Sequence, residues 1–306
     1  MRGVLQIQSA FDAFQRQRDL GQLRIRVAMG IPHGSLEHAL GLGLRSGLGD
    51  EWLRVGHLKL FTDGALGSQT AALEEPYEGS SDRGLLTIDA DRLAADVLRA
   101  SAGGIAVAIH AIGDRAVRVA LDAIEPTRSA YPALRQRIEH AQLLRREDIA
   151  RFGALGVIAS MQPIHATSDR DLADRYWGRE RVTRAYPWRQ LLDRGARLAF
   201  GSDAPVEPID PLLGMHAAVS RKRPGDRDRW HPEEALTLDE AIAGYTSGAA
   251  YAMGAERDRG TLAVGKRCDA TVVERDLGMT PVDEWPGLKI TGTVVGGEIV
   301  HADGIA

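Results

Sequence analysis

Short apolar segments alternate with longer amphipathic stretches through most of the chain. The candidate strands, in order, are residues 4–8, 24–29, 57–62, 106–110, 137–140, 157–160 and 197–202. Between them, apolar residues recur at helical spacing over 10–20, 90–102, 115–124, 146–155 and 187–194. Alternation of this kind predicts βα units built around a parallel sheet. Seven such strands in series predict an α/β fold of TIM type, a (β/α)8 barrel lacking its first strand, rather than an open sheet. After about residue 255 the pattern changes. Residues 260–265 form a turn-rich bridge, and residues 270–274, 290–295 and 298–301 read as strands, the last two joined through Gly296-Gly297. The chain therefore divides into a barrel over 1–255 and a small β-sandwich portion over 256–306.

Side chains alternate along a strand, so each barrel strand shows one face to its helices and the other to the interior. In His57-Leu58-Lys59-Leu60-Phe61-Thr62, the leucines suit the helix layer and Lys59 points inward. In Ala106-Val107-Ala108-Ile109-His110, Val107 and Ile109 face helices and His110 faces in. In the segment from Leu198 to Asp203, Leu198 and Phe200 go outward and leave Asp203 inside. Arg137-Ile138-Glu139-His140 is ambiguous by this test. A lysine, one or two histidines and an aspartate thus converge at the C-terminal ends of the strands, where such barrels keep their active sites. Burying these groups together is costly unless a divalent metal compensates, and imidazole and carboxylate are its ordinary ligands. One way for a lysine to fit such a site is as an anionic carbamate formed with carbon dioxide. Six of the nine histidines, His33, His38, His165, His216, His231 and His301, are assigned to the surface or to packing, with His165 the one that could also line the site.

Composition narrows the partners. The chain has 306 residues, 44% hydrophobic and 26% charged, with a net charge of -4. This balance excludes nucleic acid or an anionic membrane as the main partner and leaves a small-molecule substrate. The single cysteine, Cys268, excludes an internal disulfide and any cysteine-based zinc cluster. No apolar run reaches the roughly 18 residues that span a bilayer, so a cytoplasmic protein is expected. No glycine-rich phosphate loop follows the first strand.

Four stretches carry a resemblance. Lys59-Leu-Phe-Thr-Asp-Gly-Ala-Leu-Gly-Ser68, His110-Ala-Ile-Gly-Asp-Arg-Ala116, Arg137-Ile-Glu-His-Ala-Gln142 and Gly201-Ser-Asp-Ala-Pro-Val206 resemble the amidohydrolase superfamily, in the family 3 branch that includes N-substituted formamide deformylase. The stretch from Gly260 to Ala270 resembles the segment that returns such chains to their β-sandwich. The resemblance implies a zinc-type divalent metal, one or two ions, with Lys59 on strand 4 as the carboxylated bridging ligand. It implies His110 on strand 5 and His140 on strand 6 as ligands of the second metal, and Asp203 on strand 8 as ligand of the first and as proton carrier. The implied reaction is attack of a metal-bound hydroxide on the C–N bond of a small amide or N-substituted formamide. Asp63, Ser68, Asp114 and Gln162 are implied as substrate-contacting or supporting groups.

The chain departs from the family in one respect. The His-x-His pair that opens the family's pattern at the end of strand 1 does not occur in these residues. Residues 3–8 look like strand 2, so the sequence reads as a truncated or partial member. That leaves an alternative: a catalytically impaired remnant, or a small-molecule binding protein of the same fold. Two uncovered parallel edges would be a liability that a homodimer could cover.

Overall fold

The structure, a computed structural model, describes residues 2–303, with side chains from residue 10 onward. It opens on a helix, α1 (Arg2–Asp19), where the sequence reading expects a strand over 4–8. The reason lies in spacing. Val4, Ile7, Phe11 and Phe14 recur at three- and four-residue intervals, so the segment continues the helical period of the residues after it.

From there strands and helices alternate: β1 (Val27–Pro32), α2 (Leu36–Gly41), β2 (Leu53–Phe61), α3 (Ala90–Ala102), β3 (Val107–Ala111), α4 (Asp114–Ile124), β4 (Arg137–His140), α5 (Arg146–Leu155) and β5 (Ile158–Met161). After β5 come α6 (Pro163–Ser168), α7 (Arg170–Tyr176), α8 (Gly178–Arg181), α9 (Trp188–Asp193), β6 (Arg197–Phe200) and α10 (Pro211–Ser220). The first six strands form one sheet in the order β1-β2-β3-β4-β5-β6. Every neighbouring pair is parallel. Seven strands are expected and six form, because the first candidate is helical. Among the described residues β1 and β6 each pair on one side only.

Alternation holds along these strands. Leu58, Leu60, Val107, Ile109 and Ile138 are fully buried and join one core with residues of α3, α4 and α5. Each such side chain removed from water contributes about 1.5–3 kcal/mol. The opposite face carries a row that runs in register from Phe61 to His110, Glu139, Ser160 and Ala199. Two residues behind it runs a second row, with Lys59 beside Ala108 and Ala108 beside Arg137. Helix layer and chemistry thus occupy opposite faces of the same strands.

The C-terminal residues form a separate three-stranded antiparallel sheet, β7 (Ala270–Val273), β8 (Ile290–Val295) and β9 (Glu298–Ala302). Its hairpin turns through Gly296 and Gly297, at φ 64° and 91°. Positive φ at both central residues is the geometry that matches strand twist in a two-residue loop. Arg26, just before β1, reaches this sheet's leading segment with an ion pair to Asp269 at 2.5 Å. No helix among the described residues is long and apolar enough to cross a membrane.

Candidate active site

Lys59 sits near the end of β2 with its ammonium 4.7 Å from the centre of the Phe61 ring, two residues on along the same face. Its pKa is lowered, chiefly by burial, while the negative charges of Glu139 and Asp203 pull the other way. Beside it on β3, the His110 ring lies 4.6 Å from that of His140, edge to face. Lys59, His110 and His140 are therefore brought together by three consecutive strands.

His140 arrives there by an unusual route. Alternation from the buried Ile138 would aim it into the helix layer, which is why the sequence leaves it ambiguous. Its backbone sits at φ 73°, and Ala141 follows at φ 43°. Left-handed backbone at a non-glycine residue is strained, and such strain gathers at functional sites. Here it turns the imidazole back toward His110.

Hydrogen bonds set the tautomers of the two rings. His110 Nε2 donates to the carbonyl of Gly64 at 2.8 Å, so its lone pair is on Nδ1. His140 Nδ1 donates to Gln162 Oε1 at 2.8 Å, so its lone pair is on Nε2. Burial lowers the pKa of each ring to about 4, and for His110 the neighbouring His140 adds to the effect. Both are neutral at ordinary pH. Two neutral imidazoles, each with its outer nitrogen tied to an oxygen and its other lone pair free, are what a divalent cation requires. The donor set fits a metal to that extent. Among the described residues no three His, Cys, Asp or Glu side chains stand grouped as a complete cage. A lysine would have to complete the set.

Asp203 lies three residues past the end of β6, at φ 59° and exposed to solvent. Its charge is still felt by both Lys59 and His110. It reaches the group from a loop, where the sequence reading puts it on the strand's inner face.

The four supporting candidates separate. Gln162 is at the site, holding His140. Asp63 is buried, with its carboxylate accepting from the backbone N–H groups of Ala72, Ile112 and Gly113 at 2.9, 3.1 and 2.8 Å. It braces the loops after β2 and β3 and lies 3.5 Å from His110 Nε2, which makes it a scaffold for the histidine. Burial raises its pKa to about 7 against those three N–H groups. Ser68 is exposed and bonds within its own turn, to Ala65 and Thr70. Asp114, the first residue of α4, accepts from the N–H of Glu74 at 2.9 Å. It lines a different recess, a cavity of about 310 Å³ walled by residues including Glu74, Arg145 and Arg184.

Glu139 is absent from the sequence-derived site. It is buried on the same face, paired with Arg137 at 2.5 Å. Burial alone would raise its pKa, but Arg137 and Lys59 outweigh that and bring it down to about 2. Its signal was available: alternation from Ile138 sends it inward.

The sequence and the structure have known counterparts. The model of the amidohydrolase family matches residues 2–301. YtcJ of Bacillus subtilis (strain 168) is 34% identical over 294 residues, which are 94% of this chain and 54% of that protein. The N-substituted formamide deformylase of Arthrobacter pascens is 30% identical over 248 residues, 80% of this chain and 45% of the deformylase. A crystal structure of an uncharacterized metal-dependent hydrolase from Pyrococcus furiosus superposes with a TM-score of 0.75 at 36% identity, covering 85% of this chain and 52% of that one. The chain belongs to the amidohydrolase family. It spans about half the length of the curated relatives it matches.

Proposed function

We propose that the protein is a metal-dependent hydrolase that cleaves the C–N bond of small amides, with N-substituted formamides as the first class to test. The observation that carries this reading is the pair of complementary tautomers. His110 Nδ1 and His140 Nε2 are the two free lone pairs of adjacent neutral rings. Family membership and the formamide-cleaving relative support the reaction class. In this reading the six parallel strands are strands 3–8 of a (β/α)8 barrel, residues 1–255 belong to the barrel portion, and 256–306 to a β-sandwich portion.

The chain's own groups divide the work. His110 and His140 would hold a divalent ion, zinc in the simplest case, with Gly64 and Gln162 fixing the ring orientations. Such an ion, when bound, supplies Lewis-acid activation of water and of the amide carbonyl. Lys59 has an ammonium that would repel the ion. Its lowered pKa favours the free amine, which adds to carbon dioxide to give a carbamate anion and one released proton. Glu139 and Arg137 fix the charge beneath it. Asp203, exposed at the rim, would accept a proton from the attacking water and return it to the departing amine.

The test is turnover of an N-substituted formamide series by protein reconstituted with zinc, alongside metal analysis. Turnover that follows metal content and disappears in Lys59→Ala supports the reading. A metal-free protein that binds the same compounds without cleaving them would favour a binding role for the fold.

A further inference from the structure

His165 is a buried polar side chain beside this site that the reading above does not use. It lies in α6, is 6% exposed, and its ring stacks 6.0 Å from that of His140. The amide Nε2 of Gln142 donates to its Nδ1 at 3.5 Å, which places the ring proton on the other nitrogen. That nitrogen, Nε2, is buried and has no hydrogen-bond partner among the described residues. Leaving a donor in that state costs about 1–3 kcal/mol, and an orphaned group of this kind beside a candidate site calls for an explanation.

The surroundings locate what could complete it. The helix begins directly after Gln162, which holds His140. At its far end Ser168 Oγ donates to Glu207 at 2.7 Å, in the loop that follows Asp203. His165 is thereby bracketed by the tip of β4 on one side and the β6 loop on the other.

We infer that His165 binds substrate, its Nε2–H donating to an oxygen acceptor of the bound molecule, the amide carbonyl or the carboxylate of the product. The inference rests on the hydrolase reading and adds a selectivity to it. A donor at this point accepts compounds that present an oxygen lone pair and disfavours amidines, whose N–H groups would face it. Removing the matched partner from a buried polar group is a strong source of discrimination.

Formate, the acid released from a formamide, is the probe. Zinc-reconstituted wild type, His165→Phe and His165→Gln are titrated with formate by calorimetry, with metal content measured on each sample. Loss of one hydrogen bond to an anion should weaken formate about tenfold or more in His165→Phe. His165→Gln, which keeps an N–H donor, should stay within about threefold of wild type, and metal content should be equal in all three. On ¹⁵N-histidine-labelled wild type, the His165 Nε2 resonance should move on saturation with formate, a readout that needs no variant. Equal formate affinity in wild type and His165→Phe, a resonance that does not move, or loss of metal in His165→Phe would each overturn the inference. Formamide turnover in wild type is scored separately, so its failure sinks the hydrolase reading and is told apart from failure of the His165 contact.

Discussion

The two sides of the candidate site are built differently. On the β3–β4 side, His140 is buried and His110 half-buried in adjacent strands, both neutral, each with one nitrogen committed to an oxygen acceptor. On the β6 side, Asp203 stands in a loop, exposed, and acts on the others only through its charge. The histidine side is fixed by the same sheet register that fixes the core behind it. The aspartate side is free of the core. The difference suggests a division in which the histidines are preorganised to hold a cation and the aspartate remains able to follow a proton.

The sharpest way to break this comparison is to remove each side in turn. Asp203→Asn should lower kcat by about 10²–10⁴, the range for loss of a positioned acid–base group, while changing stability by about 0.5 kcal/mol or less, as for other exposed positions. Steady-state kinetics and chemical denaturation on the same preparation check both. Metal content that falls with Asp203→Asn would show that the loop side also carries the cation.

The next effect separates the two faces of one strand. Ile109→Ala, on the helix face of β3 beside His110, should cost about 2–5 kcal/mol through lost burial and the cavity left behind. It should leave zinc stoichiometry unchanged in protein that remains folded. A denaturation midpoint shift together with metal analysis reads this out, and loss of metal at full foldedness would join the two faces that the structure keeps apart.

A smaller effect tests what holds the histidine side rigid. Gln162→Leu frees the His140 ring to adopt either tautomer and should weaken zinc about 10–100-fold, as for other outer partners of metal ligands. Competition with a chromogenic chelator measures it. Unchanged affinity would mean that packing and the backbone turn alone orient the ring.

The smallest expected effect lies behind the sheet, away from both sides. Asp96 in α3 is buried. Burial would raise its pKa, but hydrogen bonds from Arg92 and His33 outweigh that and leave it lowered. Its contribution to stability is therefore complete above the ordinary carboxylate value of 3.8 and is lost as the pH falls through the lower folded value. Asp96→Asn should cost about 1–3 kcal/mol near neutrality, and the difference from wild type should shrink below pH 4 in urea titrations. A constant difference down to acid pH would place the stabilising charge elsewhere.

Much of this was legible in the sequence, and the exceptions have physical causes. The strands β2 to β6 follow from period-two apolar positions, and the faces of Leu58, Lys59, Leu60, Val107, Ile109 and His110 fall where alternation puts them. Residues 4–8 were misread because five residues cannot distinguish a strand from the first turns of a helix. The longer run through Phe14 could. His140 was ambiguous because alternation assumes ordinary strand backbone, and its φ of 73° breaks that assumption. The resemblance carried His140 where periodicity could not. The resemblance implies Asp63 and Asp114 as substrate-contacting or supporting groups without distinguishing the two. The structure spends both on backbone N–H groups. His165 reads as packing or as a site-lining residue from sequence alone, and the substrate contact proposed for it rests on the unmet Nε2, which no periodicity could reveal.

The left-handed step at the tip of β4 has one further consequence. An ordinary strand offers one functional group per two residues to a given side of its sheet, so a four-residue strand has little to give. By reversing the backbone at its last residue, β4 delivers Glu139 and His140 to the same side in succession. The carboxylate whose charge Lys59 feels and the imidazole available to a cation thus come from adjacent residues. Replacing His140 with a β-branched residue would remove the imidazole and also favour the extended backbone, returning that position to the opposite face. A single codon at this point therefore governs the local chain path as well as the chemistry at its end.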